Sequence, residues 1–467
     1  MRILHIGTGY LPIVGGGIPR YVEGLMRAQC TAGHEVHYLC TGRLDWTILP
    51  GLRRWSMGSV KVVEIVNPSI SDAGSVRQSR PGRELAEPAM ERLAERAIRG
   101  IDPDVIHIQS LLGWPASLTK VLGDLAVPAI YTVQTYQTLC PVLTLYDQVA
   151  GELCTDFAEG RRCVRCLAAR PSAFKIRMVQ RIKQLVPGSR FLVPSSKRRR
   201  LAVTNQEPGT RNDEPLPPRS SLSEVYRKRR EAFVSAMNRL QMVIGMSRRV
   251  TDILVNHGVE ATRTKTVHLV LEDFDSIRRK EPRTPMPPLR LGLLNKATLM
   301  KGAGLLRDVL AGFSRDQVRL LVFGTQNTAG QSLLRPLLDS GVAELCGPYR
   351  REELDSVMAQ IDVGLVPSIW EEAYGYVGPE LLAAGVPLLA SRIGGMPDYV
   401  EDGVNGFLLP ADNPEAWRAK INELIQSPAK VERLARGIKP VKTMREHGPE
   451  LEAIYAEAID IVRRRKA

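Results

Sequence analysis

The chain has 467 residues, of which 44% are hydrophobic and 24% charged, and a formal charge of +14 at pH 7. That length exceeds one ordinary core and points to about two domains of roughly 150–250 residues. The composition is that of a globular protein, and no apolar run approaches the roughly 18 residues that would span a bilayer. The charge is uneven: residues 161–250 hold 22 Lys/Arg against 5 Asp/Glu, whereas the remainder holds 42 against 45. The whole excess therefore sits in one segment, as a patch for an anionic partner would.

Taken in chain order, "MRILHIGTGYLP" has one Arg and a very short apolar stretch before its glycines and Pro12, so it reads as a first strand and not as a signal peptide. A cytoplasmic location follows as the default, with the seven cysteines expected as reduced thiols or metal ligands. "IPRYVEGLMRAQCTAG" has helical apolar spacing and ends at Gly33. "HEVHYLCTG", "PDVIHIQS" and "VPAIYTVQT" are further strands. Strands alternating with helices predict a parallel, doubly wound sheet.

Next comes "CPVLTLYDQVAGELCTDFAEGRRCVRC", which holds Cys140, Cys154, Cys163 and Cys166. Four cysteines this close, one pair as Cys-x2-Cys, match a structural zinc knuckle; an iron–sulfur cluster, a redox pair and unligated thiols are the alternatives. Cys30, Cys40 and Cys346 read as core packing. Residues 170–235 form a basic, Pro/Ser-rich insertion poor in aromatics, which composition predicts to be mobile in large part. "KEPRTPMPP" at 280–288 reads as a hinge or linker. The strand–helix alternation then resumes with "LRLGLLNK", "KGAGLLRDVLAGF", "VRLLVFGT", "REELDSVMAQI", "DVGLVPS", "GPELLAAG", "VPLLASR" and "NGFLLP". Ligands in such sheets bind at the carboxyl ends of the strands, so two sheets facing each other would enclose a cleft.

The glycine loops separate the nucleotide-binding alternatives. "GTGYLP" supplies Gly7-x-Gly9, but Pro12 occupies the third position, and the dinucleotide fingerprint fails. No Walker A sequence occurs. Gly15-Gly16-Gly17, just ahead of a helix beginning near Pro19, either lets backbone N–H groups approach an anion or is simply a flexible loop. Later, "EEAYGYVGPE" sets Glu372 and Glu380 on either side of a glycine-rich loop, directly before an apolar helix. Carboxylates in that position suit ligand hydroxyls, which they bind by charge-assisted hydrogen bonds.

With these pieces in order the chain resembles the family-four retaining glycosyltransferases of GT-B architecture. The resemblance rests on "RILHIGTGYLPIVGGGIPRYVEGL", "GHEV", "PDVIHI", "KGAGLL", "LVFG", "REEL", "DVGLVPS", Glu372-x7-Glu380, "AAGVPLLAS", "GGMPDYV" and "DGVNGFLL", and omits only about 170–235. It implies an α/β fold with two Rossmann-like doubly wound domains facing a central cleft. Residues 1–275 would bind the acceptor, 276–445 would bind the nucleotide-sugar, and a helix over 446–467 would return to the first domain. It implies that Glu380 binds the donor ribose and that Glu372 touches the transferred sugar. The backbone of Ala373, Tyr374, Gly375, Tyr376 and Val377, with Gly16, Gly17 and Gly324, would line the rest of the donor site. Lys296 and Lys301 fall where the family places a basic pair for the diphosphate, the first usually Arg; lysine keeps the charge but loses the bidentate fork.

Other departures lie on the acceptor side. His107 stands in "HIQ", where the family has His-x-His, and Gln134 replaces a customary His, keeping hydrogen bonds but no charge at neutral pH. Val270-Leu271 replaces Asn-Gly. The implied reaction retains anomeric configuration: a donor phosphate oxygen takes the acceptor proton, and the protein supplies placement and charge stabilisation. The expected donor is a UDP- or GDP-sugar, the acceptor a glycan, a lipid-linked saccharide or a small molecule. Structural zinc is expected at the cysteines, and no catalytic metal.

A nucleotide-sugar epimerase of the same architecture and a catalytically idle nucleotide-sugar-binding subunit are the rival readings. Nucleic acid is not an expected partner, since the basic segment has few aromatics for stacking. For that segment three readings stand: an anionic membrane surface at the inner face, which "KRRR" at 197–200 and "RKRR" at 227–230 would contact with Phe174, Phe191 and Phe233 inserting at the interface; an anionic soluble acceptor; or a solvated lid with no partner.

Overall fold

A computed structural model of the chain describes residues 1–10, 16–43, 49–70, 81–147, 149–168, 216–294, 296–324 and 328–466. The chain divides into two compact units. The first comprises Met1–Met246, Thr251–Val267 and Gly448–Ala467; the second comprises Ser247–Val250 and His268–His447.

The strands of the first unit are β1 (Arg2–Thr8), β2 (Glu35–Thr41), β3 (Gly51–Met57), β4 (Val60–Val66), β5 (Val105–Ile108), β6 (Ala129–Val133), β7 (Tyr146–Asp147), β8 (Glu152–Leu153), β9 (Met242–Gly245) and β10 (Thr264–Thr266). Eight of them form one sheet in the order β10-β9-β6-β5-β1-β2-β4-β3, while β7 and β8 make a separate hairpin. The large sheet is parallel except at its β3 edge, which runs antiparallel to β4. Its central strands are apolar on both faces: Ile3, Leu4 and Ile6 of β1 and Val105, Ile106 and Ile108 of β5 are all fully buried, as sheets covered by helices on two sides require.

The same strands carry a buried polar network. His5 Nε2 meets Gln29 Oε1 at 2.7 Å, Gln29 Nε2 donates to the Tyr455 hydroxyl at 3.0 Å, and that hydroxyl meets His107 Nδ1 at 2.8 Å. Burial pushes the His5 imidazole down to about 4, so it is neutral across the physiological range. Tyr455 belongs to the helix Met444–Lys466, and this network is one reason its last turns pack in the first unit.

The helix Ser221–Met237 corrects part of the membrane expectation. Its start is fixed by Ser220, whose side chain accepts from Ser223 N at 3.2 Å. Within "RKRR", Arg229 is buried, paired with Glu84, and donates to the Gln137 carbonyl at 2.7 Å. Arg230 lies 3.4 Å from the centroid of the Phe157 ring. Arg227 pairs with Glu224 and Glu231, and Phe233 has no exposed surface. Arg229, Arg230 and Phe233 are therefore packing groups and cannot face a lipid surface, because contacts inside the unit already occupy them. "KRRR" at 197–200, Phe174 and Phe191 lie outside the described residues. Among the described residues no helix is long and apolar enough to cross a membrane.

The second unit has β11 (Leu289–Leu294), β12 (Val318–Phe323), β13 (Ala343–Gly347), β14 (Val363–Val366), β15 (Leu388–Ser391) and β16 (Gly406–Leu409). They form one parallel sheet in the order β13-β12-β11-β14-β15-β16. The order reverses beside β11, so the crevice at the carboxyl ends of β11 and β14 is the topological switch point. Helices bury both faces: Leu306, Val309, Leu310, Trp417 and Ile421 cover one, and Met358, Leu381 and Leu382 the other. The segment read as a linker is tied down at its start. Lys280 N donates to the Ala384 carbonyl at 3.1 Å and Arg279 to the Ile438 carbonyl at 2.8 Å, so this stretch belongs to the second unit.

Candidate active site

Two loops meet at the switch point of the second unit, one leaving β11 and one leaving β14. They are laced together by backbone. Ile369 N donates to the Met300 carbonyl at 2.9 Å. Gly302 has φ +78°, and a Cβ there would lie 1.9 Å from the Pro367 carbonyl oxygen, so only glycine permits this approach. The lacing carries Lys301 to Glu372, and the two side chains form an ion pair. The other Glu372 oxygen accepts from Ser368 Oγ at 2.5 Å. Behind it, Gly395 N donates to the Glu372 carbonyl at 2.8 Å. A carboxylate held between an ammonium and a hydroxyl is fixed in direction, ready to accept from a ligand hydroxyl.

The neighbouring acid does something else. Both oxygens of Glu371 accept from Arg249 Nε, at 3.1 and 3.0 Å, and the carboxylate is buried. Glu371 thus fastens the start of the helix Arg248–Asn256 to the loop. Beside it, Tyr374 stacks on His268, with ring centroids 5.4 Å apart and planes 15° apart. His268 Nε2 meets Asp398 Oδ2 at 2.8 Å, and Arg248 holds the same carboxylate through its backbone N at 2.7 Å and its Nε at 3.1 Å. Burial opposes ionisation of Asp398, but the His268 and Arg248 hydrogen bonds outweigh it and keep the carboxyl below its usual range.

Glu380 lies in the first turn of the short helix Val377–Ala383, is buried, and has Arg351 Nη1 3.8 Å from Oε1. Lys301 also sits 5.4 Å from the centroid of the Trp370 ring. Lys296 is exposed and forms no hydrogen bond or ion pair among the described residues; Asn295 before it is outside them. Gly324 closes β12 with φ +103° and donates to the Gly347 carbonyl at 2.7 Å. Ala373 and Tyr374 are buried, whereas Gly375, Tyr376 and Val377 are half-buried. Glu372, Lys301 and the 373–377 loop are therefore brought together in one unit. Gly16 and Gly17 belong to the first unit, at the start of the helix Gly17–Thr31. Sequence reading passed over Ser368, Arg249, His268, Asp398 and Arg351. For Arg249 no local signal existed, since its partner lies 122 residues away.

Of the two acceptor-side residues, His107 sits in mid-strand with no exposed surface. Its Nε2 meets Thr132 Oγ1 at 2.7 Å and its Nδ1 meets the Tyr455 hydroxyl. It is a core histidine engaged on both nitrogens. Gln134 directly follows β6, and its Nε2 donates to Gln109 Oε1 at 2.9 Å. Its own Oε1 is buried without a partner among the described residues.

Cys154, Cys163 and Cys166 each lie within electrostatic reach of Cys140. Burial, then the charges of Cys140 and Cys163, push Cys154 up to about 12; burial is likewise the main reason Cys163 stands at about 11. Yet each of three thiols turns to its own neighbour. Cys166 Sγ lies 3.4 Å from Asp147 Oδ1, Cys163 Sγ 3.8 Å from Arg230 Nη2, and Cys154 Sγ 3.5 Å from the Asp156 carbonyl. Among the described residues no group of three or more His, Cys, Asp or Glu side chains is arranged to hold a metal ion. The expected zinc knuckle has no counterpart in this arrangement.

Residues 16–193 match the family described as glycosyl transferase 4-like domain, and residues 291–427 match glycosyl transferases group 1. The chain is 27% identical to the D-inositol 3-phosphate glycosyltransferase of Mycobacterium marinum over 245 residues, 49% of this chain and 50% of that one. It is 36% identical to the enzyme of the same name from Thermobifida fusca over 132 residues, 27% of this chain and 30% of that one. The chain thus spans about half or less of the length of the curated relatives it matches. Among solved structures, sucrose-phosphate synthase from Thermosynechococcus elongatus superposes with a TM-score of 0.63 at 14% identity, covering 99% of this chain and 100% of that one. The Anabaena protein HepE in complex with UDP gives 0.60 at 14% identity, covering 98% and 100%. The chain is thus similar over residues 16–193 to the glycosyl transferase 4-like domain and over 291–427 to glycosyl transferases group 1, and its two parallel-sheet units share the fold of these solved structures.

Proposed function

We propose that the protein transfers a sugar from a nucleotide-sugar donor to a hydroxyl-bearing acceptor, with retention of anomeric configuration. The observation that carries this reading is the Glu372 carboxylate, held between Lys301 and Ser368 at the switch point of a parallel sheet. In this role Glu380 accepts from the ribose hydroxyls and Glu372 from the transferred sugar. Lys301 turns from Glu372 to the leaving diphosphate, joined by Lys296, and charge building up there in the transition state meets a fixed cation. The acceptor proton passes to a donor phosphate oxygen, so no protein base is assigned. In this reading the second unit binds the donor and the first the acceptor, with Gln134 contributing its unpartnered amide oxygen.

The acceptor is a saccharide, a lipid-linked saccharide or a small polyol. The relatives' name gives D-inositol 3-phosphate, which makes a phosphorylated polyol the first acceptor to try. In this reading peripheral attachment to an anionic membrane falls to residues of 161–250 other than Arg229, Arg230 and Phe233. The test is detection of free nucleoside diphosphate when the protein is given UDP- or GDP-sugars with an acceptor panel, followed by NMR assignment of the product anomer. Diphosphate release that depends on acceptor, with a retained anomer, is the expected result. Release from no donor in the panel refutes the proposal.

A further inference from the structure

We propose that the hydroxyl of Tyr399 is a hydrogen-bonding contact for the sugar of the bound donor and helps to set which sugar is accepted; this rests on the reading above. The Tyr399 hydroxyl is buried and has no hydrogen-bond partner among the described residues. A buried, unsatisfied hydroxyl costs free energy that phenylalanine in the same place would not. The ring is tightly placed. It stands edge-on to Tyr374, with centroids 5.5 Å apart and planes at 82°, and lies against the first turn of the helix Val377–Ala383. A Cβ on Gly378 would come within 2.3 Å of the ring and 2.6 Å of the hydroxyl oxygen. The absence of a side chain at 378 is what lets the phenol reach this position.

The hydroxyl also lies within electrostatic reach of Glu372: after burial, the charge of that carboxylate is the largest influence raising the phenol's pKa. A carboxylate only accepts hydrogen bonds, whereas a neutral phenol both donates and accepts. Together they can distinguish the orientation of neighbouring sugar hydroxyls, which a carboxylate alone reads poorly. Sites built to bond a ligand hydroxyl discriminate strongly against ligands that cannot meet them.

The test is Tyr399→Phe, which removes one oxygen and keeps the packing. UDP-glucose and GDP-mannose, each beside its free nucleoside diphosphate, are titrated into the parent and the variant by calorimetry, and the ligand-free melting temperature of each is measured. The expected variant melts at or above the parent, binds the nucleoside diphosphate within twofold of it, and binds the nucleotide-sugar at least tenfold more weakly. Equal binding of the nucleotide-sugar by both proteins overturns the inference. So does equal weakening for both ligands, which would place the contact away from the sugar, and so does a lower melting temperature, which would show the hydroxyl engaged inside the protein. A parent that binds neither nucleotide-sugar refutes the proposed function itself, and the inference with it.

Discussion

Replacing Glu372 by Gln separates two effects that an ordinary loss of activity would merge. The carboxylate is held by Lys301 on one oxygen and by Ser368 on the other. An amide keeps the shape and can still accept from Ser368, so the fold is expected to be unaffected. What is lost is the charged acceptor facing the sugar. A hydrogen bond to a charged group contributes about 1.5–3 kcal/mol, so transfer should slow by about 10- to 150-fold. The same change releases Lys301 from its ion pair. In the parent, a diphosphate must compete with Glu372 for that ammonium, and in the variant it need not. Affinity for the free nucleoside diphosphate should therefore stay level or rise, by up to about tenfold, or about 1.4 kcal/mol. Steady-state kinetics with the preferred donor and calorimetry with the diphosphate measure the two quantities separately. A kcat within twofold of the parent, or diphosphate affinity that falls in step with kcat, would refute the reasoning.

Glu371→Gln should act on stability and not on chemistry. It removes the charge and one of the two acceptor oxygens that Arg249 binds, and because that guanidinium is partly exposed the cost is about 1–3 kcal/mol, read by urea unfolding; an unchanged midpoint would show that the pair holds nothing. Gly302→Ala should displace the Lys301 loop, since its Cβ has nowhere to go, and weaken diphosphate binding more than tenfold; parental binding would contradict the lacing of the two loops. Arg229→Met removes the guanidinium that pairs with buried Glu84, so the variant should lose about 3–5 kcal/mol of stability, with vesicle binding unchanged. At pH 8 the Cys163 thiol, pushed up to about 11, should be alkylated far more slowly than a free thiol, and faster by about tenfold per pH unit up to pH 10. Because the fold favours the protonated thiol, the stability that Cys163 contributes is level below about pH 9 and declines above it; rapid, pH-independent alkylation would contradict both.

Much of the candidate site could be read from the sequence because its parts are local. Glu372 and Glu380 flank one loop, the strands around them are apolar runs, and Lys301 follows a strand at a recognisable distance. Hydrophobic patterning also gave both parallel sheets, whose buried strands are continuous apolar stretches. What escaped were side chains with distant partners. The pairing of Arg249 with Glu371, or of His268 with Asp398, depends on how two segments are laid together, and nothing in the local composition announces it. Charge runs misled for the same reason. "RKRR" looks like a solvated patch, yet one helical face turns Arg229 inward to Glu84 and Arg230 onto Phe157. The cysteines show the converse: close spacing brought the thiols near one another, but Asp147, Arg230 and the Asp156 carbonyl took up three of them.

The most direct test of the central claim compares a nucleoside diphosphate with its nucleoside in the parent and in Lys301→Ala, by calorimetry at one ionic strength. The account predicts that the parent binds the diphosphate far more tightly than the nucleoside, and that Lys301→Ala removes at least tenfold of the diphosphate affinity while leaving the nucleoside within twofold. Equal losses for both ligands, or a parent that binds neither, would contradict it.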